Sequence, residues 1–321
     1  MLPPTSVVTG GYILAKKQTQ KTSYGIAELY GERFLAISNK RRTELLDAGS
    51  TSECPSLLSF PQLAPKRKGR LSTKCGKKGG VCSIRNFKTI KNGQTFGPIT
   101  TTCPIRFYEN GLIFQVIGET LLGNKHAEIA KEIPFLKRRA GFANDDNNIS
   151  EDVGRIDMVM VNVDGEQLDW CAVELQAVYF SGGAMSKDYP IIRKHSGNDI
   201  PMPGANRRPD FRSSGPKRLM PQLQIKVPTL RRWGKKMAVV VDRPFFDALG
   251  DMDRVNHVSN ADIVWFIVSF KEEDDAIFSN LIVEEIRYTT LERAVEGLTS
   301  GTPTTLPEFE EKIRAKLPSS T

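Results

Sequence analysis

An α/β fold is the expectation from the sequence, on three observations. Ile156–Val163 and Trp170–Val178 are strand-like runs on either side of Asp164-Gly165, a dipeptide that supplies the positive φ angles of a tight hairpin. Met237–Val241, Ile263–Phe270 and Leu281–Tyr288 are apolar runs of strand length. Helix-start signals, Thr289 with Glu292 and Thr305 before Pro307, close the chain. At 321 residues there is room for one large domain or two modest ones, and 39 % hydrophobic with 26 % charged residues excludes a disordered or collagen-like chain.

In chain order, the patterning up to about Ser52 is mixed and predicts a short helix around Tyr24–Tyr30. Thr51–Pro104 is rich in Gly, Pro, Lys and Thr and poor in long apolar runs, so it cannot build much of a core unaided and needs a staple. Helical spacing returns between Leu112 and Arg139, then a polar loop at Asn144–Asn148 precedes the hairpin. A Pro/Gly/Arg-rich excursion, Gly182–Pro216, is followed by a helical stretch, Lys217–Trp233, interrupted near Pro228. The longest apolar run, Ile263–Phe270, is far shorter than the roughly 20 residues that cross a bilayer. Met1-Leu2-Pro3-Pro4 has neither the basic flank nor the apolar core of a signal peptide, so no membrane partner and a cytoplasmic location are expected.

The net charge of +8 is unevenly spread. Lys66–Lys91 holds 10 basic residues and no acidic one, whereas Met237–Thr321 holds 8 basic and 16 acidic. Such a run either meets a phosphate polyanion, since each contact releases condensed counterions, or is a solvated basic surface. A second basic region comprises Arg207, Arg208, Arg212, Lys217, Arg218, Arg231, Arg232, Lys235 and Lys236.

The most chemical residues are Asp157 on the first hairpin strand and Glu174 and Gln176 on the second. With Asp164-Gly165 as the turn, Asp157 lies opposite Ala172, and Glu174 becomes its diagonal neighbour on the same face, roughly 7–8 Å away between backbones. A loop one residue longer would send Asp157 to the other face. Two buried acids require either a cation or basic side chains to neutralise them. Mg²⁺, which prefers oxygen ligands, suits such a pair. The alternative is a half-exposed hairpin whose polar face carries these residues by chance.

Cys54, Cys75, Cys82 and Cys103 are separated by 20, 6 and 20 residues. In the segment least able to form a core they read either as a closed tetrahedral metal site or as free structural thiols, with no Cys-x-x-Cys knuckle to decide. Cys171 points away from Glu174 and is expected to be a packing thiol. His126, His195 and His257 show no ligand spacing, and no glycine-rich phosphate loop is present.

Gly25-Ile26-Ala27-Glu28-Leu29-Tyr30-Gly31, Cys54-Pro55, Cys75, Gly80-Val81-Cys82, Cys103-Pro104, the hairpin with Asp157, Val173-Glu174-Leu175-Gln176 and Trp265-Phe266-Ile267-Val268 occur in an order that resembles the NotI and EagI-like family of type II restriction endonucleases. The resemblance implies a restriction-endonuclease-like PD-(D/E)XK core, a mixed sheet flanked by helices, over residues 108–321. It also implies a small N-terminal region, 1–107, with a four-cysteine metal-binding module at about 51–107. Residues of about 182–236 would form an Arg-rich DNA-contacting insertion. Carried over, Asp157 and Glu174 become Mg²⁺ ligands and Gln176, where most such enzymes have lysine, supports the attacking water. Cys54, Cys75, Cys82 and Cys103 become iron (or zinc) ligands. For the family's additional upstream glutamate, Glu128, Glu132 and Glu151 stand as substitutes. The implied activity is Mg²⁺-dependent cleavage of double-stranded DNA at a GC-rich palindrome by a homodimer, leaving a 5′-phosphate and a 3′-hydroxyl. The other expectations are a non-catalytic DNA-binding protein and a structure-specific repair or recombination nuclease on the same core.

Overall fold

The structure, a computed structural model, describes residues 23–77, 79–91, 93–137, 152–164, 167–181, 188–201, 207–299 and 304–317. The expected loop at Asn144–Asn148, and Glu151, lie outside them. The first part of the chain comprises β1 (Ser23–Leu29), β2 (Glu32–Arg33), α1 (Asn39–Ala48), α2 (Pro55–Ser59), β3 (Lys66–Arg67), β4 (Arg70–Leu71), β5 (Val81–Ile90) and β6 (Gly93–Thr101). Four of these strands form an antiparallel sheet in the order β2-β1-β5-β6. The helix expected around Tyr24–Tyr30 is therefore strand β1. Its partner β5 lies more than fifty residues away, from Ser23↔Phe87 to Leu29↔Val81, so pairing invisible to local pattern overrides it. Ile26, Leu29, Phe34, Leu57, Ile84 and the thiols of Cys54 and Cys75 share one core. The cysteine-rich segment thus obtains its core from β1 and α1.

The remainder runs α3 (Leu112–Leu122), β7 (Glu128–Lys137), β8 (Asp152–Asp164), β9 (Gln167–Leu175), α4 (Tyr189–Lys194), α5 (Phe211–Ser214), α6 (Met220–Arg232), β10 (Met237–Asp242), α7 (Arg243–Asp247), β11 (Ile263–Lys271), β12 (Asn280–Thr289), α8 (Leu291–Leu298) and α9 (Leu306–Arg314). A mixed six-stranded sheet has the order β12-β11-β10-β9-β8-β7, with β10 parallel to both β9 and β11 and the other pairs antiparallel. β10 is buried along its whole length, which is why it reads as a continuous apolar run. One face packs against Leu223, Val227 and Leu230 of α6 and Ala294 and Leu298 of α8. The other packs against Ile113, Phe114 and Ile117 of α3.

Three local expectations are corrected. The helical spacing at Leu112–Arg139 divides: α3 stops at Gly123, whose φ of 64° is a left-handed cap, and Glu128–Lys137 is the edge strand β7. Pro228 lies inside α6, which runs on to Arg232. The cap of α8 is Thr290, one residue after Thr289, whereas Thr305 and Glu308 form the capping box of α9. Cys171 is buried in the α3-side core, as a packing thiol should be.

The two sheets are joined through buried polar groups. Arg106 forks onto Glu28 of β1 at 3.0–3.1 Å and donates to the Ser279 carbonyl at 2.6 Å. Asp242, at the end of β10, accepts from the Thr101 backbone N–H at 2.5 Å and from that of Phe245 at 2.9 Å. The Val178 N–H donates to Thr101 O at 2.8 Å. The end of β6 is thereby fixed against the exits of β9 and β10. Among the described residues no helix is long and apolar enough to cross a membrane.

Candidate active site

The hairpin register decides the geometry. Asp164 pairs with Gln167 and Met158 with Val173, a register displaced by two positions from the expected one; Gly165 of the expected turn lies outside the described residues. Continued by one step, the register sets Asp157 directly across from Glu174. The expectation that Asp157 faces Ala172 is thereby corrected, since Ala172 pairs with Val159. A displacement of two positions preserves parity, so the shared face survives.

Glu174 is buried on both flanks, paired with Val239 of β10 along the sheet, and its side chain is 4 % exposed; that of Asp157 is 57 % exposed. Burial pushes the Glu174 carboxyl up to about 7; Lys226 pulls it down and Asp157 pushes it up. Gln176 follows the end of β9. Its N–H donates to Val240 O at 3.0 Å, and its Nε2 donates to the Ala177 carbonyl at 2.6 Å. The amide is thus fixed by a backbone acceptor, with Oε1 as its remaining polar atom.

Sequence reasoning required a neutralising cation or base and did not find it: it is Lys226. From α6 its Nζ donates to Glu174 Oε2 at 2.7 Å and to Gln222 Oε1 at 2.7 Å, and lies 3.8 Å from Asp157 Oδ1. The residue is 5 % exposed. A signal was present: Leu219, Leu223, Val227 and Leu230 form a buried stripe at helical spacing, and Lys226 sits inside it.

Asp157, Glu174, Gln176 and Gln222 line a cleft of about 430 Å³ that Lys77 and Cys103 also line. Lys77 Nζ donates to Thr102 O at 2.5 Å and to its hydroxyl at 2.9 Å. Desolvation lowers the Lys77 ammonium from its ordinary value, opposed by Cys103, Cys82 and Cys75.

Cys54, Cys75, Cys82 and Cys103 do converge, and every pair among the four is close enough to interact electrostatically. Burial, reinforced by this repulsion, raises the Cys54 thiol to about 11 and raises Cys75 and Cys82 as well. Cys75 Sγ donates to Lys77 O at 3.7 Å and Cys82 Sγ to Gly80 O at 3.5 Å. The expected metal module is nevertheless not formed as such. Among the described residues no group of three or more His, Cys, Asp or Glu side chains is arranged to hold a metal ion. Cys54 and Cys75 pack in the small-sheet core, Cys82 is buried beside them, and Cys103 is half-buried at the cleft.

Of the upstream glutamates, Glu128 pairs with Val161, away from the site. Glu132 falls between the pairs Lys131↔Met158 and Ile133↔Ile156, hence across from Asp157, but with a left-handed φ of 54°. Its carboxylate is 75 % exposed, 3.5 Å from Arg155. The basic run is divided as well. The β3–β4 hairpin from Lys66 to Leu71 is wholly exposed, whereas Arg85 is committed to Glu272 at 2.8 Å and to Gly97 O. In the region after the hairpin, Arg207 is buried against Asp188, Arg218 stacks on Tyr179 at 3.6 Å, and Arg231 binds Asp262 and Glu292. Arg207, Arg218 and Arg231 of the stretch expected to contact DNA therefore have partners within the fold.

The sequence model of the family described as "Restriction endonuclease NotI" matches residues 60–280, well over half of the chain. No curated protein matches the sequence.

Proposed function

From the premise that this chain belongs to the NotI restriction endonuclease family, we propose that it is a type II enzyme that hydrolyses double-stranded DNA at the Asp157–Glu174 cleft with Mg²⁺. The observation that carries the reading is a buried carboxylate and an exposed one on adjacent strands, facing one cleft. Two oxygen donors of this kind fit a hard cation, and the buried basic partner of Glu174 marks a pair that needs positive charge. Asp157 and Glu174 would hold the ion, which when bound polarises the phosphodiester and acidifies a water. Glu174, gripped by the sheet and α6, is the fixed donor, and Asp157 is the solvent-facing one. Gln176 supplies Oε1 to a water at the floor of the cleft. The products are a 5′-phosphate and a 3′-hydroxyl, and the target is a GC-rich palindrome read by a homodimer, because two antiparallel strands present two equivalent bonds.

In this reading residues 1–107 form the DNA-positioning region and 108–321 the nuclease core. The exposed hairpin Lys66–Leu71 offers its cations to phosphates. The thiols of Cys54, Cys75, Cys82 and Cys103 are suitable donors for structural iron or zinc, and their mutual proximity supports that assignment; they must close further than they do here, and no catalytic step is routed through them. The test is digestion of plasmid and genomic DNA with Mg²⁺, followed by sequencing of the ends. Discrete fragments with one end sequence are expected. DNA that is bound but left intact would refute the nuclease reading, and cuts without a common end sequence would refute the type II assignment.

A further inference from the structure

The Lys226 ammonium faces both carboxylates that would hold a divalent ion in the proposed function. It is within 2.7 Å of Glu174 Oε2 and 3.8 Å of Asp157 Oδ1, and the residue is buried on a helix whose neighbouring turns are locked in the core. Two cations cannot share the space between two carboxylates without strong repulsion. One turn earlier on the same helix, Gln222 Oε1 accepts from the same ammonium at 2.7 Å. This neutral acceptor would remain for the ammonium if Glu174 were given up.

We propose that Lys226 is a tethered counter-cation, a positioning residue that holds the carboxylate pair in the metal-free chain, competes directly with the divalent ion, and shifts onto Gln222 when that ion binds. The inference rests on the assignment of Asp157 and Glu174 as the cation pair. A lysine serving only as a structural bridge has the opposite signature: its removal loosens the site and weakens metal binding. Removal of a competitor strengthens it.

The experiment is calorimetric titration of Mn²⁺ into the full chain without DNA at about pH 8.5, with folding checked by circular dichroism. For Lys226→Met, which keeps an unbranched chain one atom shorter and removes the charge, the Kd for Mn²⁺ is expected to fall roughly tenfold, equivalent to about 1.4 kcal/mol. A folded Lys226→Met with unchanged or weaker Mn²⁺ binding overturns the proposal. Should that variant fail to fold, Gln222→Ala decides: with its alternative acceptor gone the ammonium stays on Glu174, and Mn²⁺ binding is expected to weaken severalfold, whereas unchanged affinity overturns the proposal. Glu174→Gln separates the two levels of inference. If it binds Mn²⁺ as wild type does, the cation-pair assignment itself falls. If it abolishes binding while Lys226→Met is unaltered, the pair stands and the competitor role alone is refuted.

Discussion

In the metal-free chain, stability should fall as the pH rises through neutrality, and Glu174 should be a principal cause. Its carboxyl is moved from an ordinary 4.5 to about 7, chiefly by burial, with Lys226 opposing and Asp157 adding to the shift. A carboxyl raised in the folded state takes up a proton more readily there than in the unfolded chain. Its contribution is therefore fully present below pH 4.5 and is lost as the pH climbs through about 7. A displacement of this size corresponds to about 3 kcal/mol between the two limits; the side chain is only 4 % exposed, so little of this is screened by solvent. Asp242, likewise raised by burial to about 6, adds a slope at lower pH. Comparison with Glu174→Gln removes that common term. The assay is urea unfolding in chelator from about pH 5 to about pH 8.5. Because the amide also deprives Lys226 of its charged partner, only the pH slopes are compared, with Asp157 and Gln222 still present to receive the ammonium. Wild type should lose about 3 kcal/mol more than the variant across this window. Parallel curves would show that Glu174 is ionised at little cost and would refute the reasoning.

Asp157→Ala and Glu174→Ala should each lower single-turnover cleavage by about 10²–10³-fold or more, while a gel-shift assay in Ca²⁺ shows DNA binding largely retained. Gln176→Ala should cost less than either, since water can take over one acceptor, and wild-type turnover would remove Gln176 from the site. Glu28→Ala removes the forked acceptor of the buried Arg106, which keeps its ion pair to Glu109, and should destabilise the chain by about 1–3 kcal/mol in urea unfolding; unchanged stability would show that Glu109 and water suffice. Elemental analysis of the purified chain should return one equivalent of iron or zinc, lost in Cys75→Ser together with thermal stability of the small sheet. A metal-free wild type would leave the thiols as core residues only.

Legibility followed the range of the interactions involved. The strands β8 to β12 and the helix start at Thr305 before Pro307 could be read because periodicity and turn chemistry are local. β1 and β7 could not. Both were read as helical, and both take their identity from strands distant in sequence or from an edge position in a sheet. The shared face of the carboxylates survived a displaced register because parity, which a two-residue displacement preserves, decides the face. What changed was their relation, from diagonal to directly opposed. The convergence of the four cysteines was foreshadowed by spacing, but whether their sulfurs close on an ion depends on side-chain rotamers that no spacing encodes.

Lys226 shows why the remaining part of the site stayed hidden. Sequence reasoning asked for a cation or basic side chains to neutralise the two acids, put Mg²⁺ forward, and named no basic residue. The fold supplies the charge from the layer above, where α6 crosses the end of β9 and a single lysine interrupts its apolar stripe. A buried lysine costs too much to retain without a partner, so its place in that stripe already required a carboxylate on the opposing sheet face. Of the two hairpin acids on that face, Glu174 takes the hydrogen bond at 2.7 Å and Asp157 lies 3.8 Å away. Read in that direction, from the anomalous helix residue to the strand, the pairing follows from the sequence: an ionisable residue in an apolar stripe identifies the site more sharply than either carboxylate considered alone.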